Sequence, residues 1–185
     1  MTALPDIPRL YTALAECLAV LLFTPALAPR FSRAVTGGIT LLWAAVLSAF
    51  LGLTGNVPGG LWIPCMAAAI GLSYLYLWGV WSITLLEAGY HCARAFILAE
   101  LAASVEWQLH CALWPARSAW GALSLLLLAL VYGALFGGMC YWLHISPQPA
   151  GHLQISGSAA LTAVMLALAA FAVSNLGFLP GSDIN

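Results

Sequence analysis

Six long apolar segments, separated by short polar turns, occupy most of this 185-residue chain. Each is close to the roughly 20 residues that an α-helix needs to cross the hydrocarbon core of a bilayer. They are predicted at 10–28, 34–54, 61–86, 91–113, 119–143 and 155–178. The gaps between them are shorter than the roughly 50 residues of a small folded domain. The sequence therefore predicts an all-α fold, a polytopic membrane helix bundle of about six transmembrane helices that forms a single integral membrane domain.

Charge is too scarce for most soluble classes of protein. Charged residues make up 6% of the chain, lysine is absent, and the formal net charge is -1. Soluble globular domains carry about 25% charged residues. A nucleic-acid partner is not expected, because binding to phosphates requires clustered lysine or arginine side chains. We therefore expect the lipid bilayer to be the main partner of the chain.

The stretch from Glu87 to Trp114 carries four formal charges inside an otherwise apolar run. A charged side chain near the bilayer centre costs about 2.5 to 3.5 kcal/mol on insertion scales. If the helix is centred near Ala102, Glu100 lies about 3 Å from the midplane and Glu106 about 6 Å from it. These carboxyls need partners, water or a proton, and ionisable groups at this depth are typical of functional sites.

Helical spacing distributes the polar residues of this segment over several faces. Glu87, His91 and Arg94 fall on one stripe, where each can neutralise its neighbour. Glu100 points about 140° away from Glu87, on a face shared with Ser104, and is expected to face the bundle interior. The predicted ligand-binding or coupling residues are Glu16, Glu87, His91, Arg94, Glu100, Ser104, Glu106 and Trp107.

Two of these charges are expected to have specific partners. Glu106 and His110, four residues apart, form a predicted pair on a further face of the helix. Arg94 is expected within ion-pair or hydrogen-bond distance of a carboxylate, either Glu87 or Glu16, which lies near the middle of the first segment.

No catalytic residue, metal site or cofactor is predicted. The dipeptides His91-Cys92 and His110-Cys111 resemble metal ligands, but about 28 Å of helix separates them. The cysteines include no C-x-x-C pair and are expected to be free thiols in apolar runs. They are Cys17, Cys65, Cys92, Cys111 and Cys140.

The first apolar segment has some features of a signal peptide. Glu16 interrupts its apolar run, and Pro29 directly follows the small residues of the candidate cleavage site. We therefore expect an uncleaved membrane span. The few arginines slightly favour an orientation with both termini outside.

The polar helix also carries a family resemblance. The run A-R-A-F-I-L-A-E at 93–100 continues through A-A-S at 102–104 to E-W-Q-L at 106–109, and S-N-L-G-F follows at 174–178. These segments resemble the membrane sensor region of Firmicutes GHKL-type sensor histidine kinases. The resemblance implies a multi-pass sensory or ligand-binding module in the bacterial cytoplasmic (inner) membrane, with a small-molecule or peptide ligand and a kinase domain or other partner protein.

The resemblance does not extend to catalysis. The chain lacks the phosphoacceptor helix and the ATP-binding motifs of that family, so kinase activity is not carried over and no enzyme activity is expected. Under this interpretation the chain is a truncated or split sensor, or a stand-alone sensor-like protein.

Three other interpretations remain open. Glu16, Glu100 and Glu106 fit equally well a small membrane transporter or a substrate-binding membrane subunit, where carboxyls bind cations or relay protons. An intramembrane peptidase would need a nucleophile and a base within hydrogen-bond reach, for which Cys140 and His144 are the best pair. Finally, the charges can simply hold the bundle together through buried pairs and hydrogen bonds.

Overall fold

A computed structural model describes residues 7–55, 57, 59–113, 121–145 and 155–175, excluding the side chains of 59, 60, 62 and 171–175. Within these residues the fold is an all-α bundle, as predicted, and a short 3-10 helix, Thr24–Ala26, follows the first helix. The six α-helices are α1 Arg9–Phe23, α2 Arg33–Leu53, α3 Gly59–Val80, α4 Leu85–Leu113, α5 Ala122–Ile145 and α6 Gly157–Asn175.

Helix α4 lies at the centre of the bundle. It packs against α1 and α6 and also contacts α3 and α5, while α1 contacts α2 and α5 as well. Close packing on α4 is possible because many of its buried positions are alanines, which let neighbouring backbones approach. These buried positions are Ala88, Ala93, Ala95, Ala99, Ala102 and Ala103.

Helices α1 and α4 run antiparallel. The ring of Phe23, at the end of α1, lies 6.3 Å from the ring of His91, near the start of α4. Two turns earlier on α1, Glu16 lies beside Ala95 and Phe96, further along α4. The acidic residue of α1 is therefore brought next to the most polar helix of the chain.

The outer surface of the bundle is apolar, whereas several polar side chains are buried. Four described helical segments are long and apolar enough to cross a membrane: Arg9–Ala26, Arg33–Leu53, Ile63–Val80 and Ala122–Ile145. On the outer faces, Leu41 is 74% exposed and Leu125 is 61% exposed, while Glu106 in the interior is 0% exposed. The interior is also mainly apolar, so the feature that differs from soluble proteins is the large number of aliphatic side chains exposed on the outer faces.

The boundary between α3 and α4 differs from the predicted one. The predicted segments were 61–86 and 91–113, but α3 ends at Val80 and α4 begins at Leu85. The link between them pairs with the link between α1 and α2. The Arg30 N–H donates to the carbonyl of Val80 at 2.9 Å, and the Ser82 N–H donates to that of Ala28 at 2.8 Å. These contacts stabilise an extended link where the apolar sequence alone suggested a continuous helix.

Candidate functional site

The first polar site, the Glu106 cluster, comprises Glu106, His110, Ser124, Tyr11 and Tyr132. Glu106 Oε1 lies 4.0 Å from His110 Nδ1. His110 Nδ1 lies 3.2 Å from the Ser124 hydroxyl, which lies 3.3 Å from the Tyr11 hydroxyl. The Tyr132 hydroxyl donates to the Tyr11 carbonyl at 2.9 Å. The cluster therefore joins α4, α5 and α1 through polar side chains.

The carboxyl of Glu106 is unusual within this cluster. The side chain is completely buried, and neither of its oxygens has a hydrogen-bond partner among the described residues. Leaving a buried acceptor unsatisfied costs about 1 to 3 kcal/mol, and more for a charged group. Glu106 lies next to its predicted partner His110, with Oε1 4.0 Å from Nδ1, but no hydrogen bond joins the two side chains.

Trp107 supports the imidazole of the same cluster. Its ring stacks on that of His110, with centroids 5.0 Å apart and an interplanar angle of 11°. Trp107 is buried. Because the indole covers one face of the imidazole, Trp107 is placed to report on changes around His110 and Glu106.

The second polar site, the Glu16 cavity, lies between α1, α3 and α4. It measures about 10 Å³ as the space open to the centre of a water molecule, which is room for about one water. Its polar lining residues are Glu16 from α1, Ser73 from α3 and Cys92 from α4, and the others are apolar. A peptide or an organic molecule, which the family resemblance implied as a ligand, does not fit this cavity.

Glu100 and Ser104 are both half-buried on α4. The carboxyl of Glu100 is close enough to that of Glu16 for two negative charges to repel each other. The structure therefore brings together two of the acidic residues that the sequence singled out, one from α1 and one from α4.

Glu87 has a capping role at the start of α4. The Thr84 N–H donates to Glu87 Oε2 at 2.6 Å, and the Glu87 N–H donates to Thr84 Oγ1 at 3.2 Å. This reciprocal pair is a capping box, which satisfies N–H groups at the helix N-terminus. The T-x-x-E spacing in the sequence was sufficient to indicate it.

The predicted ion pair of Arg94 is not formed among the described residues, where no carboxylate oxygen lies within 4.0 Å of its guanidinium. Instead, its central carbon lies 4.5 Å from the ring centroid of Phe23 and 5.3 Å from that of Tyr90. Both contacts are cation–π interactions, which strengthen when the cation is desolvated. His91, one turn earlier, is buried with its Nδ1 unpartnered by any described residue.

The remaining candidate residues form no site in the part of the chain described. All five cysteines are free thiols there. Cys140 and His144 are exposed on α5, and no described hydrogen bond joins them. Nor do the described ranges contain a group of three His, Cys, Asp or Glu side chains able to hold a metal ion.

Several residues of the two sites escaped the sequence analysis. Ser73, Ser124 and Tyr11 are single polar residues in apolar helices, a pattern that ordinary packing also produces. Only the packing of α1, α3, α4 and α5 against one another gives them partners or a shared cavity.

Comparison with known proteins gives no relative: no family model, curated protein or solved structure matches the chain. The two polar sites are therefore the basis for inferring a function.

Proposed function

We propose that the protein is a multi-pass protein of the bacterial cytoplasmic membrane that acts as a sensory module, in which occupancy of a polar site between α1 and α4 changes their packing. The observation that carries this proposal is the burial of Glu16 and Glu106, each with a carboxyl oxygen that no described residue satisfies. Such groups are unfavourable in a purely structural interior. Their presence here therefore favours a site that binds an ion, a proton or another small ligand.

The distribution of apolar surface supports a location in the membrane. Large aliphatic side chains cover the outer faces of α2 and α5, where water contact would be unfavourable. If the protein is integral, it will stay in the membrane fraction after washing with alkaline carbonate or urea and will be released only by detergent. Release by either wash would contradict this part of the proposal.

Helix α4 is suited to transmit such a signal. It carries Glu106 and Glu100 and contacts α1, α3, α5 and α6, so a shift of α4 reaches most of the bundle. A sensory role is also what the resemblance to the membrane region of GHKL sensor kinases implies. The output partner under this proposal is a kinase domain or another protein.

The second candidate function is a small membrane transporter that relays protons. The observation that favours it is the series of polar groups in the Glu106 cluster, spaced 4.0, 3.2 and 3.3 Å apart from Glu106 to Tyr11. Chains of acidic residues and histidines in membrane proteins commonly carry protons.

The two functions are separated by measuring structure and flux in the same sample. The full chain is reconstituted into liposomes that contain a pH-sensitive dye, and steps of pH and of sodium are applied. The fluorescence of Trp107 is isolated by comparison with Trp107→Phe. A sensory module will show a change in Trp107 fluorescence with no net proton or sodium flux.

Each other result has a definite meaning. A flux that is lost in Glu106→Gln would establish the transporter instead. The absence of both flux and fluorescence change would contradict the sensory function. Gln108→Glu serves as the control, because it places a carboxyl on an exposed position of the same helix.

A further inference from the structure

The Glu16 cavity lies between α1 and α3, with α4 as its third wall. Both α1 and α3 pack against α2 and against α4. Glu16 lines the cavity from α1 and Ser73 lines it from α3, and these two residues are only 5% and 4% exposed, respectively. Two polar side chains from different helices therefore share one buried space.

Neither of these polar side chains is satisfied by the surrounding protein. Glu16 Oε1 and the Ser73 hydroxyl have no hydrogen-bond partner among the described residues. A helical serine commonly donates to the carbonyl one turn earlier, and Ser73 does not. Because buried polar groups are nearly always hydrogen-bonded, two unpaired oxygens in one cavity indicate a partner that occupies it.

The other walls of the cavity do not supply this partner. The thiol of Cys92 donates to the carbonyl of Ile70 at 3.6 Å. The remaining lining side chains are aliphatic or aromatic, without a hydrogen-bond donor or acceptor. An occupant of the cavity must therefore pair with a carboxyl oxygen and with a hydroxyl at the same time.

The size and ligands of the cavity restrict the occupant to water. A space of about 10 Å³ admits about one water-sized particle, which excludes organic molecules. A metal cation would need more oxygen ligands than the two oxygen-bearing side chains of the lining provide. A water molecule both donates and accepts hydrogen bonds, and two polar partners are enough to hold it in a protein interior.

We propose that the Glu16 cavity binds one water molecule, which donates a hydrogen bond to Glu16 Oε1 and accepts one from the Ser73 hydroxyl. The water joins α1 to α3 directly, in addition to the contacts that both helices make with α2 and α4. It satisfies both buried oxygens without requiring a second charge in the cavity.

A water in this place gives Glu16 a structural role. The carboxyl holds the water that fixes α1 to α3, and buried waters of this kind are costly to remove. Glu106 does not line the cavity, so the same water does not satisfy its oxygens. This inference goes beyond the sensory function and does not depend on it, because its tests use neither the fluorescence of Trp107 nor ion flux.

A crystal structure of the full chain, grown from lipid and detailed enough to show ordered waters, tests the proposal directly. It should contain one water about 3 Å from both Glu16 Oε1 and the Ser73 hydroxyl oxygen. A direct hydrogen bond between the two side chains would overturn the proposal, as would a metal ion in the cavity or a cavity without ordered density.

Ser73→Ala tests for the water in solution through the sign of its effect on Tm. If the water is bound, the substitution removes one of its two partners, and Tm in detergent should fall by about 3 °C. Alanine favours a helix more than serine does, so helix propensity alone would raise Tm. Without the water, Ser73→Ala only removes an unsatisfied buried hydroxyl, and an unchanged or higher Tm would contradict the proposal.

The same substitution in a Glu16→Met background completes a double-mutant cycle. There the water has already lost its carboxyl partner, so Ser73→Ala should change Tm little. Equal falls in Tm in both backgrounds would show that the two oxygens are not coupled and would overturn the proposal. Ser82→Ala, at an exposed position, is the control and should leave Tm unchanged. If Glu16→Met does not fold, the sign of the Ser73→Ala effect and the crystal structure decide the question.

Discussion

The hydroxyl of Ser124 lies 3.2 Å from Nδ1 of His110, in a buried contact between α5 and α4. The same imidazole nitrogen lies 4.0 Å from Glu106 Oε1. His110 therefore lies next to both the hydroxyl on α5 and the carboxyl on α4. The position of this ring therefore links the packing of α5 to the environment of Glu106.

Ser124→Ala tests this link. We expect the free energy of unfolding to fall by about 1 to 2 kcal/mol, because His110 and Tyr11 both lose a buried hydrogen-bonding neighbour. The emission of Trp107, which stacks on His110, should shift as well. Ser82→Ala is the matched control, since its side chain is exposed. Equal stability of the two variants would contradict the assignment.

Glu106→Met should stabilise the protein while removing the proposed function. Both carboxyl oxygens are buried without described partners, so an apolar side chain of similar length loses no hydrogen bond and avoids their desolvation. We expect a gain of about 1 kcal/mol in detergent unfolding. Gln108→Met, at an exposed position, controls for the introduced methionine. A loss of stability specific to position 106 would indicate that the carboxyl does stabilise the folded protein.

Thr84→Ala should destabilise the N-terminus of α4. The substitution removes the hydroxyl that accepts the Glu87 N–H and should cost about 1 kcal/mol. Faster hydrogen exchange in the first turn of α4 would localise the effect. Ser82→Ala, just before the capping box, should leave both stability and exchange unchanged.

The contact between Arg94 and Phe23 can be measured with a double-mutant cycle. Arg94→Met, Phe23→Leu and the double variant should give a coupling energy of about 1 kcal/mol, because the guanidinium stacks on a buried ring. The same cycle with Phe31→Leu provides the control, because Phe31 is exposed. Coupling of the same size in both cycles would show that the effect is not specific to the ring of Phe23.

Arg30→Met should loosen the link between α3 and α4. The Nε of Arg30 donates to the Trp81 carbonyl at 2.8 Å, and the same guanidinium donates to the Ile83 carbonyl at 3.4 Å. We expect a loss of about 1 kcal/mol and faster proteolysis within this link. Arg33→Met removes an exposed arginine nearby and should have little effect. Equal proteolysis of the two variants would rule out this role for Arg30.

Prediction from the sequence was most successful for the helices and least successful for the partners of their polar residues. Runs of about twenty apolar residues between turn signals are sufficient to predict helices, because a helix satisfies its own backbone. The break between α3 and α4 was predicted at 87–90, whereas α3 ends at Val80 and α4 begins at Leu85. The T-x-x-E signal that marks the start of α4 was not used, and the pairing partner of the link, around Arg30, is distant in sequence. The partner of Arg94 was predicted as Glu87 or Glu16, because a cation inside a helix bundle is expected to pair with a carboxylate. The ring of Phe23 was missed because the α1 residue that faces Arg94 depends on the register of the two packed helices.

The sequence by itself determined that this chain forms apolar helices and that one of them carries ionisable groups at positions where they need partners. Both properties depend on residue types and on spacing within a helix, which are local. Only the tertiary structure decided that Glu16 shares a cavity with Ser73, and that His110 lies beside Ser124. Those relationships depend on the rotation and register of packed helices, which are set by the fit of many small side chains across the interfaces.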